Sequence, residues 1–326
     1  MTLSMPQEER IDWIDMEPAT QHSLFDVLRG LSAERKHLSP TFFYDERGSQ
    51  LFETITQLPE YYLTRTENGI LRRHASDMAR AMRLDQSLLV EPGCGSCEKV
   101  RWLLDQAMPR AFVPMEISGD FLATSLEQLS DAYPALSITA LVADYHQQFP
   151  NRNVLPDGHP ILFFPGSTIG NFDPGEAQRF LRSMGDWLGG QCGLLIGVDL
   201  HKPTSMLEAA YNDSQGVTAE FNRNALRQIN RLFGTAFNVE AFRHRAHYDS
   251  MLHRIEMHLI ADLPQDVTLG RETLHIEAGE SIHTESSYKY NPDTFIGLVG
   301  TAGYRFEQAW FDDDRYFGLF YFERDI

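Results

Sequence analysis

An α/β fold built on a mostly parallel, Rossmann-like sheet, with a smaller mixed α+β part, is what this sequence of 326 residues predicts. Three observations carry that prediction. Between residues 87 and 200, short apolar runs alternate with longer stretches of helical period, the rhythm of a parallel sheet with crossover helices. Over 201–288 the rhythm breaks into a helical stretch followed by alternating segments. The chain then closes on YRFEQAWFDDDRYFGLFYFERD, two aromatic strands around a polar turn.

The elements follow in order. SLLVEP (87–92) reads as a first strand leading into a helix at SCEKVRWLLDQAM, and AFVPMEI (111–117) as a second leading into GDFLATSLEQLSDAY. SITALVADY (137–145) is a third strand. PILFFPG (160–166) is a fourth, before a helix at PGEAQRFLRSMGDWL whose Pro174 marks a first turn. CGLLIGVDL (192–200) is the fifth. Residues 201–235 carry a helical pattern, while MLHRIEMHLIAD (250–261), TLHIEA (273–278) and SIHTESSYKY (281–290) alternate like strands. PDTFIGLVGTAG gives a last helix before the closing hairpin. Five parallel strands finished by a sixth and an antiparallel seventh beside it resemble the class I methyltransferase fold. The predicted division is a segment 1–62 contributing to a cap, a core at 63–200, an inserted cap at 201–288, and a return at 289–326 that completes the sheet.

Composition excludes several functions. Net charge is −18, without a Lys/Arg cluster that could track phosphates, so neither nucleic acid nor an anionic membrane is an expected partner. The start, MTLSMPQEERIDWID, is acidic and unlike a signal peptide. Apolar runs such as ILFF (161–164) are too short to span a bilayer. A cytoplasmic, monomeric protein is expected. Cys94 and Cys97 spell C-G-S-C, but no second pair exists to complete a zinc site, and flanking glycines suit small side chains in a tight loop better than a redox motif. His244, His247, His253 and His258 look like a metal cluster, yet the last two are oddly spaced on an alternating strand. No metal is expected.

The stretch LLVEPGCGSCEKVRWLL (88–104) places Gly93 and Gly95 between a strand and a helix, where a backbone can turn sharply and approach a ligand. G-x-G alone is a weak signal, and two acids sharpen it. Glu116 ends the second strand, where a carboxylate can accept ribose hydroxyls. Asp144 ends the third beside Tyr145, where a carboxylate can accept an adenine amino group and a ring can pack on the base. An NAD site would want the full G-x-G-x-x-G with a pyrophosphate on the helix N-terminus. Here that helix opens with Glu98. A phosphate-free cofactor bearing a sulfonium, S-adenosylmethionine, suits the acidic loop better.

Reading outward, LSPTFFYDERGSQLFETITQLPEYYLTRTE (38–67), PGCGSCEK (92–99), FFPGSTIGN (163–171), LEAAYNDSQGVTAEFNRN (207–224) and TESSYKY (284–290) make the chain resemble the histidine Nα-methyltransferase family of ergothioneine biosynthesis. The resemblance implies conversion of L-histidine to its trimethylated betaine, hercynine, by three methyl transfers from S-adenosylmethionine. It implies cofactor contacts at Gly93, Gly95, Lys99, Glu116, Asp144 and Tyr145, although the family usually has Asp for Glu116 and Phe for Tyr145. It implies substrate contacts at Tyr61, Asn171, Tyr211, Glu285, Ser286 and Ser287, with Tyr44 nearby. Glu285 and Ser287, two apart on a strand, share a face and can bind the N–H and the lone pair of an imidazole. Asn171 can hold a carboxylate, Tyr211 can donate a hydroxyl, and Met257 can floor the pocket. No dedicated base is expected, because deprotonating an amine near neutral pH costs about 1.4 kcal/mol per pH unit. Tyr44 and Tyr61 are instead expected to orient the amine, their rings favouring the growing cation. Alternatives are N-methylation of tryptophan, tyrosine or another amine, and a non-catalytic cofactor-binding protein.

Overall fold

The computed structural model describes residues 11–18, 23–145 and 149–325. The chain divides into two compact units, one of Met1–Pro18, Leu63–His201 and Tyr290–Ile326, the other of Ala19–Tyr62 and Lys202–Lys289.

The first unit is organised by an eight-stranded sheet. Numbered along the chain, its strands are β1 (Ile11–Asp15), β2 (Ser87–Pro92), β3 (Ala111–Glu116), β4 (Ile138–Val142), β5 (His159–Phe164), β6 (Cys192–Asp199), β12 (Arg305–Phe311) and β13 (Phe317–Arg324), with numbers seven to eleven in the other unit. The order is β1-β4-β3-β2-β5-β6-β13-β12. Strands β2 to β6 pair in parallel, whereas β13 lies antiparallel between β6 and β12. This is the class I methyltransferase order that the closing hairpin implied. Every residue of β2, β3, β4 and β6 is buried, as expected where helices cover both faces of a parallel sheet. Helices α3 (Tyr62–Ala81), α4 (Glu98–Leu104), α5 (Gly119–Ala132), α6 (Pro174–Trp187) and α9 (Pro292–Thr301) provide that cover. Pro174 stands in the first turn of α6 behind an Asp173–Glu176 capping box, and Asn291 caps α9 with Pro292 after it.

Two features depart from expectation. Residues 11–15 form an edge strand paired in parallel with β4, so this part of the N-terminal segment goes with the sheet instead of with the cap. Its IDWID carries two aspartates in five residues and is mostly exposed, so backbone pairing holds it without an apolar run. Helix α4 stops at Leu104, short of the predicted Met108, where Asp105 caps it ahead of Pro109.

The second unit combines α1 (Leu24–Ser32), α2 (Glu46–Thr56), α7 (Thr204–Ala210) and α8 (Val217–Phe233) with five strands. Strands β7 (Phe242–Asp249), β8 (Arg254–Ala261) and β11 (Ser281–Tyr288) form an antiparallel sheet in the order β11-β8-β7, and β9 (Gln265–Leu269) pairs with β10 (Glu272–Ile276). Sequence reading found β8, β10 and β11 but neither β7, whose FRHRAHYD is too polar to register as a strand, nor the short β9, QDVTL. The helical pattern over 201–235 breaks at NDSQG, because the Asp213 carboxylate accepts from the backbone N–H groups of Gln215, Val217 and Thr218 and so starts α8 afresh. Among the described residues no helix is long and apolar enough to cross a membrane.

Candidate active site

In the first unit, β2 runs into a loop in which Gly93, Gly95 and Cys97 all have left-handed φ, at 66°, 55° and 55°. Glycine relieves the Cβ penalty at two of the three positions. The amides of Gly93 and Cys94 donate to Met115 O at 2.8 and 3.1 Å, pinning the loop against the end of β3. Glu116, last residue of that strand, is buried; its Oε2 accepts from Gly95 N at 3.2 Å and its Oε1 from Ile117 N at 2.9 Å. Asp144 is buried just past β4. Beside it the Tyr145 ring lies 6.1 Å from Phe164 and 5.8 Å from Phe180, and a Cβ on Gly93 would sit 3.4 Å from it. Gly93, Gly95, Glu116, Asp144 and Tyr145 thus gather at the carboxyl edge of the sheet, where open α/β folds bind ligands. Asn171 follows β5 at the same edge, ending the short turn Thr168–Asn171.

Lys99 opens toward a residue the sequence did not single out. Its Nζ lies 2.7 Å from Oε2 of Glu67, a fully buried carboxylate on α3 whose two oxygens also accept from Gly166 N. Glu91, also buried, has its carboxyl pushed well above the usual range, mainly by loss of water and against the pull of Lys99. Its Oε2 has no hydrogen-bond partner among the described residues. Cys94 and Cys97 are free and buried, packed into the core with the thiol of Cys94 pushed up by burial, which fits filling and not redox chemistry.

In the second unit, β11 carries a bulge between His283 and Glu285. The extra residue, Thr284, donates its hydroxyl to Met257 O at 3.0 Å. Past the bulge Glu285 pairs with Met257 and Ser287 with Ile255, so both turn onto the buried face of the sheet. Met257 is therefore the cross-strand neighbour of Glu285. Ser286 is not grouped with them: its hydroxyl lies on the opposite face, 3.1 Å from His283 Nε2. Tyr211, at the end of α7, places its hydroxyl 2.8 Å from Ser287 Oγ. Its ring meets Tyr61 edge-on at 6.2 Å, and Tyr61, Phe52 and Tyr44 continue the row at 6.3 and 6.0 Å. Next to Tyr61 in the chain, Glu60 accepts from both the amide and the hydroxyl of Ser214. The structure thus brings Tyr44, Tyr61, Tyr211, Glu285 and Ser287 into one unit.

Sequence reading missed Lys289 here. It is 2% exposed, and its Nζ donates to Tyr211 Oη at 3.0 Å and Ser287 Oγ at 2.9 Å. With lone pairs of both oxygens engaged by the ammonium, one hydroxyl proton spans the 2.8 Å gap and the other is left to donate outward. Burial pushes the Glu285 carboxyl up to about 7, and Lys289 is the charge that pulls it back. A lysine two residues after a serine on a strand gives no pattern signal, so only the folded neighbourhood reveals it.

A family model described as histidine-specific, S-adenosylmethionine-dependent methyltransferase matches residues 23–324. The chain belongs to that family. It is similar to the histidine N-alpha-methyltransferase of Mycolicibacterium smegmatis, 38% identical over 98% of both chains, and to that of Mycobacterium tuberculosis, 40% identical over 90% of this chain and 92% of the relative. Among solved structures, the magnesium protoporphyrin IX methyltransferase of Synechocystis PCC 6803 aligns with TM-score 0.46 and 10% identity over 87% of this chain and 97% of that one.

The loop of this methyltransferase fits its cofactor. Glu67, Glu91, Glu116 and Asp144 are buried around the strand ends against the ammonium of Lys99, which is itself paired to Glu67. Such an environment suits a cationic, phosphate-free ligand and disfavours a pyrophosphate. Glu91 Oε2, buried and without a hydrogen-bond partner among the described residues, is left for a polar group of a ligand. If the group of Tyr211, Glu285 and Ser287 receives histidine, Lys289→Met is expected to raise the KM for histidine about tenfold, since the Tyr211–Ser287 pair loses a charged donor. Steady-state kinetics on the variant checks this, and an unchanged KM would remove Lys289 from the group.

Proposed function

We propose that this chain adds three methyl groups in turn to the α-amino nitrogen of L-histidine, giving its trimethyl betaine, hercynine, and so serves the first step towards ergothioneine. The observation that carries this reading is the bulge at Thr284, which turns Glu285 and Ser287 onto one buried face beside Tyr211 and Lys289. A carboxylate and a donor hydroxyl on one face match the N–H and the lone pair of an imidazole; a benzene ring would leave both unpaired, a large penalty in a dry site.

S-adenosylmethionine, when bound, supplies a methyl group on a cationic sulfur. Glu116 would accept its ribose hydroxyls, Asp144 its adenine amino group, and Tyr145 would pack on the base. Gly93 and Gly95 keep the loop backbone free of Cβ atoms, and Lys99 is steered by Glu67. For the substrate, Glu285 would accept the imidazole N–H and Ser287 would donate to the ring's other nitrogen, its oxygen accepting in turn from Tyr211 and Lys289. Tyr44 and Tyr61 orient the amine, whose rising positive charge their rings favour by roughly 0.5–2 kcal/mol each. No side chain of these acts as a strong base. Water carries away the ammonium proton before attack, at about 1.4 kcal/mol per unit of pH below the amine pKa. Alignment of amine and methyl provides the rest of the acceleration.

Incubating the purified chain with histidine and S-adenosylmethionine and following product mass over time tests the reading. Mono- and dimethyl species are expected to pass into the trimethyl product. A product that stops at one methyl contradicts betaine formation, and no product at all contradicts histidine as substrate.

A further inference from the structure

The outer face of the three-stranded sheet gathers side chains that methyl transfer does not use. Register sets His247 of β7 opposite Glu256 of β8, and His258 stands two residues from Glu256, so all three share that face. Glu256 Oε2 lies 3.0 Å from His258 Nε2 and 3.9 Å from His247 Nε2. One donor atom from each of the three lies within 4.8 Å of the others. The sequence reading expected no metal because His253 and His258 are oddly spaced. His253 indeed lies in the turn before β8, and His244 points elsewhere, its Nε2 2.8 Å from Tyr211 O. The polar strand β7 is what brings His247 alongside.

The geometry points to a binding site for a divalent late first-row transition cation such as Zn²⁺ at His247, Glu256 and His258. Zinc bonds of about 2.0–2.2 Å in tetrahedral array set ligand atoms about 3.3–3.5 Å apart, between the 3.0 and 3.9 Å found here. Two imidazoles and one carboxylate favour zinc, copper or nickel over magnesium or calcium. The outer contacts already orient the donors. His258 Nδ1 is held 2.9 Å from Ser281 Oγ, which turns Nε2 inward. Arg254 Nε donates to Glu256 Oε1 at 2.9 Å, which leaves Oε2 for the cation. His247 is the least engaged of the three. It is half-buried, its Nδ1 has no partner among the described residues, and its Nε2 faces Glu256 beyond hydrogen-bond range. A cation held between His247 Nε2 and Glu256 Oε2 would close that 3.9 Å gap. A cation here ties β7 to β8 and braces the sheet whose other face bears Glu285.

The test uses the untagged full chain, stripped with chelator, titrated with Zn²⁺ by calorimetry and with Co²⁺ by visible absorption. One saturable equivalent is expected, with a tetrahedral cobalt spectrum and a raised melting temperature. His247→Ala and His258→Ala should each weaken binding about tenfold or more. Arg254→Ala should tighten it, because Glu256 is then free to serve the cation alone. Circular dichroism establishes that the variants are folded. No saturable uptake, or uptake equal in the wild type and both histidine variants, would overturn the site.

Discussion

Replacing Glu285 by alanine should raise the KM for histidine by about 10–150-fold, the effect of removing a charge-assisted hydrogen bond worth about 1.5–3 kcal/mol. Affinity for S-adenosylhomocysteine should hold within about twofold, because the proposed role of Glu285 is toward the imidazole and those of Glu116 and Asp144 toward the cofactor. Equal losses in both would contradict its placement. The pH dependence adds a second readout. Burial pushes the Glu285 carboxyl up to about 7, with Lys289 opposing. Because that value is raised, the proton is held below about pH 7, and the carboxylate proposed to accept the imidazole N–H prevails only above it. The advantage of wild type over Glu285→Gln, taken as the ratio of their histidine KM values, cancels the substrate's own titration. It should grow about tenfold per unit up to about pH 7 and then level off. A ratio flat from acid to alkaline pH would mean that Glu285 does not titrate against the imidazole.

Asp144→Ala should act in the opposite sense. If this buried carboxylate is the acceptor for the adenine amino group, as proposed, its loss should weaken S-adenosylhomocysteine binding by about 10–150-fold, read by calorimetry, and leave the KM for histidine at saturating cofactor nearly unchanged. Asp144 is the better probe than Glu116, whose carboxylate also accepts from Gly95 N and Ile117 N, so that its removal would loosen the loop as well. Unchanged cofactor affinity in Asp144→Ala would remove it from the adenine position.

What could be read in the sequence follows from what each residue needs. The strands from β2 to β6 are buried on both faces, so they appear as unbroken apolar runs, and Glu116 and Asp144 stand out because they end such runs. Strands β1, β7 and β9 stayed hidden, since IDWID, FRHRAHYD and QDVTL are held by backbone pairing and carry exposed or half-exposed polar side chains. The pairing of Glu285 with Ser287 was legible from their spacing alone. Which face they occupy was not, because the bulge at Thr284 shifts the register by one residue and decides between the core and the histidine cluster. The same alternation sends Ser286 to the other side, a consequence of period two that grouping it with its neighbours overlooked. Glu67 and Lys289 left no trace because each is a single charged residue in a polar stretch. Their roles come from burial and from partners far along the chain, 99 residues away for Gly166 and 78 for Tyr211.

Both buried charges have a common purpose. Glu67 holds Lys99 and Gly166 together, and Lys289 holds Tyr211 and Ser287; each spends a desolvated charge on orienting others. Preorganisation of this kind is worth more in a dry site than flexible contacts at the surface, since no reorganisation is needed when the reactants meet.

The most direct measurement is a competition in which equal concentrations of histidine, tryptophan, tyrosine and phenylalanine share limiting S-adenosylmethionine, with products resolved by mass. If the carboxylate and hydroxyl on β11 read an imidazole, methyl groups should appear on histidine in large excess over the other three together. A majority of label on any aromatic competitor would contradict that reading outright.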